Sequence, residues 1–396
     1  MKKELIITAM CAFSILFFSC KENAQKTEID SKDVKTIAVS SIKESFQDTA
    51  YFKDPQIVVL ETIDESLIAN INRIFMDDNI LFIYGWKLQE ILMFDINGKY
   101  LNKIDRKGEG PGEYVQITDF TIDPVKKQII VLCSIPEKRM YFTYEGTFIK
   151  EESNQNFYSR LTMDNNYIYF ENVVLENPND QLHILDTKTG KKYEGLKPLN
   201  IKNYYYANGN SLSRGKNILY TRRYDNSIYE LKSGEIIKKY QVDFKEHSFP
   251  DQFITEKDAV VIAEECLTHE YIFSMSNVVN NDSYMMFYTN PAIIFLYDKK
   301  NDVLTGYKQI LNSKLGPFIK SSFTFYFPVE NTNKIVCYIN DPSFIKHITK
   351  QIVDNPDKKI KKIKNSHPKL IEEIINLGNK ITDDSNPVLF IYEFKD

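Results

Sequence analysis

Short apolar runs separated by turn-forming residues recur along this chain, and the clearest set lies between Asn70 and Tyr114. Ile71–Met76, Ile80–Tyr84, Ile91–Asp95 and Lys99–Ile104 are rich in β-branched and aromatic residues, the composition of half-buried strands. Between the first two stands Asp77-Asp78-Asn79, whose side chains can bond their own backbone in a tight turn. Between the last two stands Asn97-Gly98, which predicts a type I′ turn with positive φ at both central residues. The four runs predict one up-and-down meander of about 35–45 residues, the size of one β-propeller blade.

The third strand and its turn are the easiest part of this unit to follow. They recur at Met93–Gly98, Tyr141–Gly146, Ile184–Gly190, Tyr229–Gly234, Phe295–Asp302 and Phe390–Phe394. With Phe94, Phe142, Leu185, Leu231, Tyr297 and Ile391 as markers, the first three intervals are each about 45 residues, one blade period. The last two intervals are longer and predict insertions. Six markers predict an all-β fold, a six-bladed β-propeller of four-stranded antiparallel blades. Sheets that each bury a face need neighbours, so the array is expected to close into a ring. Gln56–Leu60 beside the C-terminal run Pro387–Phe394 supplies the closing pair. A five- or seven-bladed ring and a β-sandwich are the rival architectures; a sandwich has no need of a four-strand period.

The insertions fall at about 246–270 and 341–387. Ala259–Leu267 has near-helical apolar spacing and predicts a short helix over one face of the ring. Pro342–Val353 reads as a helix, and Asn355–Lys364 is strongly basic. His367–Ile381 reads as an amphipathic helix with Pro368 in its first turn. Both insertions interrupt late blades and are expected near one another, covering part of one mouth of the ring.

Residues 1–20 lie outside the fold. Lys2 and Lys3 precede the apolar run Leu5–Ser19, which is shorter than the ~20 residues needed to span a bilayer. The run ends Leu16-Phe17-Phe18-Ser19-Cys20 and resembles a bacterial lipoprotein signal, with Cys20 as the lipidated residue. It departs from that pattern in placing Phe17 where an aliphatic residue is usual. An ordinary secretory signal or an uncleaved anchor is the other reading. The polar stretch 21–55 reads as a tether, and residues 56–396 as the propeller.

Lys107-Gly-Glu-Gly-Pro-Gly-Glu-Tyr114 marks an irregular connection between the first two blades. A phosphate-binding reading lacks both a Gly-Lys-Ser/Thr ending and a following helix. With its neighbours this segment carries a resemblance. Ile104–Tyr114 followed by Phe120-Thr-Ile-Asp123 is similar to the signature of the six-bladed β-propeller lipoproteins of Bacteroidetes, relatives of the NHL-repeat propellers. Leu60-Glu61-Thr62 with Leu67-Ile68 resembles that family's N-terminal entry, and Asp384–Lys395 its closing strand. The resemblance implies a propeller and a location in the bacterial cell envelope, lipid-anchored, and implies no reaction.

A net charge of −4 supplies no field for nucleic acid. The basic run at 358–364 could touch anionic lipid or polysaccharide, although a solvated helix face accounts for it. Beyond Cys11 and Cys20 stand Cys133, Cys266 and Cys337. Two of them could pair, but Cys133 and Cys337 lie in strand-like runs and read as small buried apolar residues. No zinc pattern is present, and no cofactor is expected.

For chemistry, the innermost strands are expected at about 71–76, 118–122, 159–163, 204–208, 271–275 and 322–327. They offer Asn72, Arg73, Asp119, Arg160, Tyr205, Tyr206, Tyr271, Ser274, Thr324 and Tyr326, too few carboxylates for a calcium cage of six to eight oxygens. No nucleophile elbow or serine–histidine–acid set can be linked. Binding fits better. Trp86, Arg160, Tyr205, Tyr206, Arg222, Arg223 and Tyr271 are the candidate ligand-binding residues, able to stack on a sugar ring or clamp a carboxylate. The expected role is non-catalytic binding of a glycan, peptide or small molecule, or of an envelope protein, on one face. A glycan lyase or hydrolase on that face and a docking scaffold are the alternatives.

Overall fold

Asp78 and Asn79 both take the left-handed backbone, φ 48° and 61°, and join two strands through a two-residue type I′ turn. The Asn97-Gly98 turn differs from expectation. Only Gly98 has positive φ, and Asp95 accepts the Asn97 and Lys99 N–H groups through Oδ1, 2.9 Å each, while its carbonyl takes the Gly98 N–H. The pair is therefore a type I turn with a bulge, and the register slips between Met93 and Phe94. Glycine is required there, because a Cβ on Gly98 would stand 2.2 Å from the Val59 carbonyl oxygen.

The structure, a computed structural model, describes residues 25–27, 29–172, 181–199, 209–253, 258–319, 321–354 and 356–395. In chain order, β1 (Gln25–Lys26), β2 (Ile29–Asp30), β3 (Lys35–Gln47) and β4 (Gln56–Val59) precede a series of antiparallel meanders. The first is β5 (Arg73–Asp77), β6 (Ile80–Gly85), β7 (Glu90–Asp95) and β8 (Tyr100–Ile104). Next come β9 (Gln116–Asp123), β10 (Gln128–Ile135), β11 (Glu137–Thr143) and β12 (Phe148–Ser153), then β13 (Arg160–Asp164), β14 (Tyr167–Glu171), β15 (Leu182–Asp186) and β16 (Lys192–Gly195). They are followed by β17 (Leu212–Arg214), β18 (Ile218–Arg222), β19 (Asp225–Lys232) and β20 (Glu235–Asp243), and by β21 (Met275–Asn280), β22 (Tyr284–Thr289), β23 (Ile293–Asp298) and β24 (Val303–Leu311). The two-residue β25 (Ser322–Phe323) pairs with β24. The closing sheet is β26 (Phe327–Glu330), β27 (Lys334–Ile339), β28 (Val388–Glu393) and, antiparallel to β28, the N-terminal β4. The third-strand markers Phe94, Phe142, Leu185, Leu231, Tyr297 and Ile391 all lie on third strands.

Apolar clusters lie between successive meanders. Phe75, Phe82 and Phe142 fill the first gap, Leu132 and Leu161 the second, Leu182 and Leu231 the third, Val242 and Phe295 the fourth. Met286 and Phe390 join the fifth pair, and Val329, Val336 and Ile74 return the packing to the first meander. The fold is all-β and propeller-like. Cys133 and Cys337 are buried on β10 and β27, as small apolar residues should be.

The polar stretch 21–55 is not a free tether. Its residues Lys35–Gln47 form β3, parallel both to β20 and to β24, and the closing strand β4 begins directly after the stretch. Ile37 and Phe46 are buried, while most of the strand's other side chains face solvent, so its sequence carries little apolar pattern. The helices are α1 (Ala259–His269), α2 (Ser343–Asp354), α3 (Lys358–Ser366) and α4 (Pro368–Gly378). The two insertions do not share a core. Ile345, Ile360 and Ile374 of the late helices pack on the sheet of β22 and β27, whereas Ile262 and Cys266 of α1 pack with Phe273 and Phe249. The lysines of α3 are exposed and Ile360 is buried, so the basic run is the solvated face of a helix. Among the described residues no helix is long and apolar enough to cross a membrane.

The glycine-rich loop is a closed connection from β8 to β9. Its N–H groups are satisfied internally: Gly108 by the Tyr114 carbonyl, Gly110 by the Glu113 carboxylate and Gly112 by the Glu151 carboxylate. The glycine N–H groups are thus already engaged by a carbonyl, by Glu113 and by Glu151 of β12, which leaves none of the three for an anion.

Candidate functional site

The first strands of the meanders stand side by side around the axis, and Arg73 of β5 sits among them with 1% of its side chain exposed. Its guanidinium donates to Asp119 on β9, to the Leu161 carbonyl on β13 (3.0 Å) and to the Leu212 carbonyl on β17 (3.0 Å). Glu330 on β26 lies 3.5 Å away. Asp119 also accepts the Leu161 N–H (2.9 Å), and Glu330 accepts the Arg214 N–H. One arginine thus ties together five strands from four hydrogen-bonded sheets.

Burial pushes the Glu330 carboxyl up to about 7, against the pull of Arg73. A carboxyl whose pKa rises on folding contributes its stability fully below the ordinary value of 4.5 and loses it as pH climbs through about 7. The melting temperature should therefore fall between about pH 5 and pH 8, and Glu330→Gln should flatten that fall. Equal slopes for the two proteins by calorimetry would reject the assignment.

Above this hub a cavity of about 480 Å³ opens at the mouth of the channel. Asn72, Trp86, Thr118, Ser159, Arg160, Asn210, Phe325 and Tyr338 line it, with Arg73 and Asp119 also at its wall. Trp86 follows β6, where Asn72 Oδ1 takes its N–H (2.9 Å) and Gln89 Nε2 donates to its carbonyl (2.6 Å). The backbone is pinned while the indole stays 55% exposed on the rim. Arg160 opens β13 and donates to Asn210 Oδ1 (2.6 Å) and the Gly209 carbonyl (2.8 Å). Asn210 exchanges bonds with Asn277, which a bulge in β21 turns inward with φ 53°. Asn277 and Tyr326 bond each other in turn. These links hold the cavity floor rigid.

A side pocket of about 40 Å³ adjoins the cavity across Arg160 and Gly209. Glu171, Ser211, Arg222, Arg223 and Ser274 are among its walls. Glu171 accepts the hydroxyls of Ser159 (3.1 Å), Ser211 (2.8 Å) and Tyr220 (3.3 Å). Burial pushes the Asp225 carboxyl up, but Arg222, 2.7 Å away, and Ser227 outweigh it and hold it below its ordinary value.

The structure therefore brings Trp86 and Arg160 to one cavity and Arg160, Arg222 and Arg223 to its side pocket. Tyr271 is elsewhere: it packs with Phe253 and stacks on His269 beside α1. Tyr205 and Tyr206 lie outside the described residues, as does Cys20. The later inner strands are also displaced from expectation, to 212–214, 275–280 and 327–330. The first of these strands is only three residues long, and all three begin later than the aromatic and apolar runs that suggested them. Asn210, Tyr338 and Glu330 were not among the expected site residues. Asn-Gly-Asn at 208–210 reads as a turn, and Tyr338 and Glu330 read as ordinary strand residues.

A family model described as "Domain of unknown function (DUF4934)" matches residues 34–393. A solved protein from Bacteroides fragilis, described as exported, is 16% identical over 91% of this chain and 100% of that one, with a TM-score of 0.70. A member of the DUF4221 family from Bacteroides vulgatus is 11% identical over 87% of this chain and 98% of that one, with a TM-score of 0.45. No curated protein matches. At these identities the first likeness concerns the fold.

Proposed function

The chain belongs to the family called Domain of unknown function (DUF4934), and on that footing we propose that it is an extracytoplasmic binding protein. It is a six-bladed propeller of four-stranded blades, anchored through lipid on Cys20, that holds a small polar ligand at the channel mouth without turnover. The leader ending at Cys20, the sequence resemblance to envelope propeller lipoproteins, and a fold shared with a protein described as exported support the location.

The observation that carries the binding reading is the composition of the cavity. An exposed indole on the rim and the rings of Phe325 and Tyr338 at the wall offer faces for a sugar ring or apolar side chain. Amides and hydroxyls from separate strands supply fixed polar contacts. Asp119 Oδ2 at the cavity is held by Arg73 and the Leu161 N–H, and Glu171 at the side pocket is held by three hydroxyls and lies 3.8 Å from Arg160. That arrangement suits positioning rather than proton transfer, which needs a carboxyl free to exchange its proton.

A thermal-shift panel of neutral and acidic glycans, peptides and divalent metals tests the reading, because a binder raises the melting temperature by mass action. We expect a glycan to shift it, and Trp86→Ala to weaken that ligand roughly tenfold, as loss of a stacking face does, with the unliganded melting temperature unchanged. A ligand whose affinity ignores Trp86→Ala would place binding away from this cavity.

A further inference from the structure

Positive charge is dense on α3 and has no answer there. Lys358, Lys359, Lys361, Lys362 and Lys364 crowd a helix of nine residues, and all five are exposed. Lys359 donates to the Phe318 carbonyl (3.1 Å). Among the described residues no carboxylate lies within 4.0 Å of any of the five ammonium groups. Elsewhere exposed lysines stand beside acids: Lys53 beside Glu393 (2.6 Å), Lys127 beside Asp77 (2.8 Å), Lys216 beside Asp282 (3.0 Å) and Lys308 beside Glu270 (3.3 Å).

Solvation alone does not call for this arrangement. A helix face meets water equally well with Gln, Ser or Glu. The lysines instead repel one another at three- and four-residue spacing, Lys358 against Lys361 and Lys362, and Lys361 against Lys364. Lys358 and Lys359 also occupy the first turn, where the helix dipole disfavours a cation. The helix is held by Ile360 and Ile363 in the core shared with α2 and α4, and by Asp357, which accepts the Ile360 N–H (2.7 Å). On the isolated chain the charges only destabilise; against an anionic partner the same charges become favourable.

Shape selects the partner. At 3.6 residues per turn the five lysines fan over more than half of the helix circumference, opposite Ile360 and Ile363. A single acidic polymer strand lies along one row of such a fan, whereas laterally mobile headgroups can close around all of it. The lipid-attachment signal ending at Cys20 also keeps a bilayer within reach, a ground that rests on the anchored reading above. Because α3 spends its apolar side on the core, it has none left to insert, and contact stays at the headgroups. We propose that α3 is a membrane-contact surface that docks electrostatically on an anionic phospholipid leaflet.

The unlipidated chain 21–396, which retains every described element, is sedimented with vesicles of phosphatidylcholine alone and of phosphatidylcholine with phosphatidylglycerol in equal parts. The acidic vesicles should bind it roughly a hundredfold more tightly, about fivefold for each of three lysines at the leaflet, and added salt should erase the difference. Lys361→Gln with Lys362→Gln and Lys364→Gln should remove most of that preference, while the melting temperature holds or rises as repulsion is relieved. Lys53→Gln with Lys216→Gln and Lys308→Gln removes the same net charge and should leave the preference standing. No preference for acidic vesicles overturns the proposal and leaves the lipid anchor and the cavity untouched, since neither enters the measurement. A preference that survives in the α3 variant, or falls equally in the control variant, also overturns it. Lys362→Glu alone decides the matter if the triple variant does not fold. Binding to soluble polygalacturonate but not to vesicles, lost in the α3 variant, assigns the lysines to an acidic polymer and overturns the bilayer.

Discussion

Arg73→Met is expected to destabilise the protein by about 3–5 kcal/mol, the range for breaking a buried charged network from one side. Methionine keeps an unbranched apolar stem in place of the arginine stem, so most of the effect comes from the lost guanidinium. What is lost is a single guanidinium that donates to Asp119, Leu161 and Leu212 and faces Glu330. Asp119 and Glu330 would then stay buried, at 1% and 0% exposure, without their cation, and two carbonyls would lose donors. For a chain of this size the melting temperature should drop by roughly 5–10 °C. Arg73→Lys should recover only part of it, because one ammonium cannot reach acceptors on four sheets at fixed fork geometry. Adding Asp119→Asn to Arg73→Met should restore part of the loss by removing one unpaired charge, a coupling that a double-mutant cycle reads directly. An Arg73→Met protein that melts within about 2 °C of the native chain would show that the hub is incidental to the ring.

The same residues show what a sequence can and cannot reveal. The meander period is local: Asp-Asn or Gly turns lie within a few residues of the strands they join, and the apolar third strands are buried on both faces, so Phe94 through Ile391 stand out. The centre of the ring obeys a different rule. There the strands meet across gaps of 46 to 139 residues in sequence, as the Arg73 bonds do, and their inward positions are polar because they face one another across a narrow channel. Leu212–Arg214 is three residues long and has no pattern to detect. Trp86 and Arg160 were legible because an indole or a guanidinium beside a turn is unusual for packing. Asn210 was not, since asparagine next to glycine already has a sufficient explanation as a turn. Tyr271 misled for the opposite reason: a tyrosine near an expected inner strand looks like a rim residue, yet it is half-buried against Phe253 and His269 of α1 in a separate aromatic cluster.

The second large effect concerns β3, whose meaning is equally hidden in the sequence. Lys35–Ala38 pairs with Tyr240–Asp243 of β20, and Val39–Gln47 runs beside Leu304–Leu311 of β24. Both partners are outer strands of their meanders, more than 190 residues away, so no local signal announces the pairing. Without β3 both edges would lie open, rows of unpaired N–H and C=O groups that invite aggregation. Ile37 and Phe46 would also leave the core, at about 1.5–3 kcal/mol each. A chain beginning at residue 31 retains β3 and should melt within a few degrees of the full soluble protein. A chain beginning at residue 48 should lose cooperative unfolding or aggregate, since the combined loss approaches the total stability of about 5–15 kcal/mol typical of a domain. Supplying residues 31–47 as a peptide to the shorter chain separates the two causes of failure. Recovery of a cooperative melt would show that edge pairing is what was missing. A shorter chain that melts like the longer one would show that β20 and β24 need no strand between them.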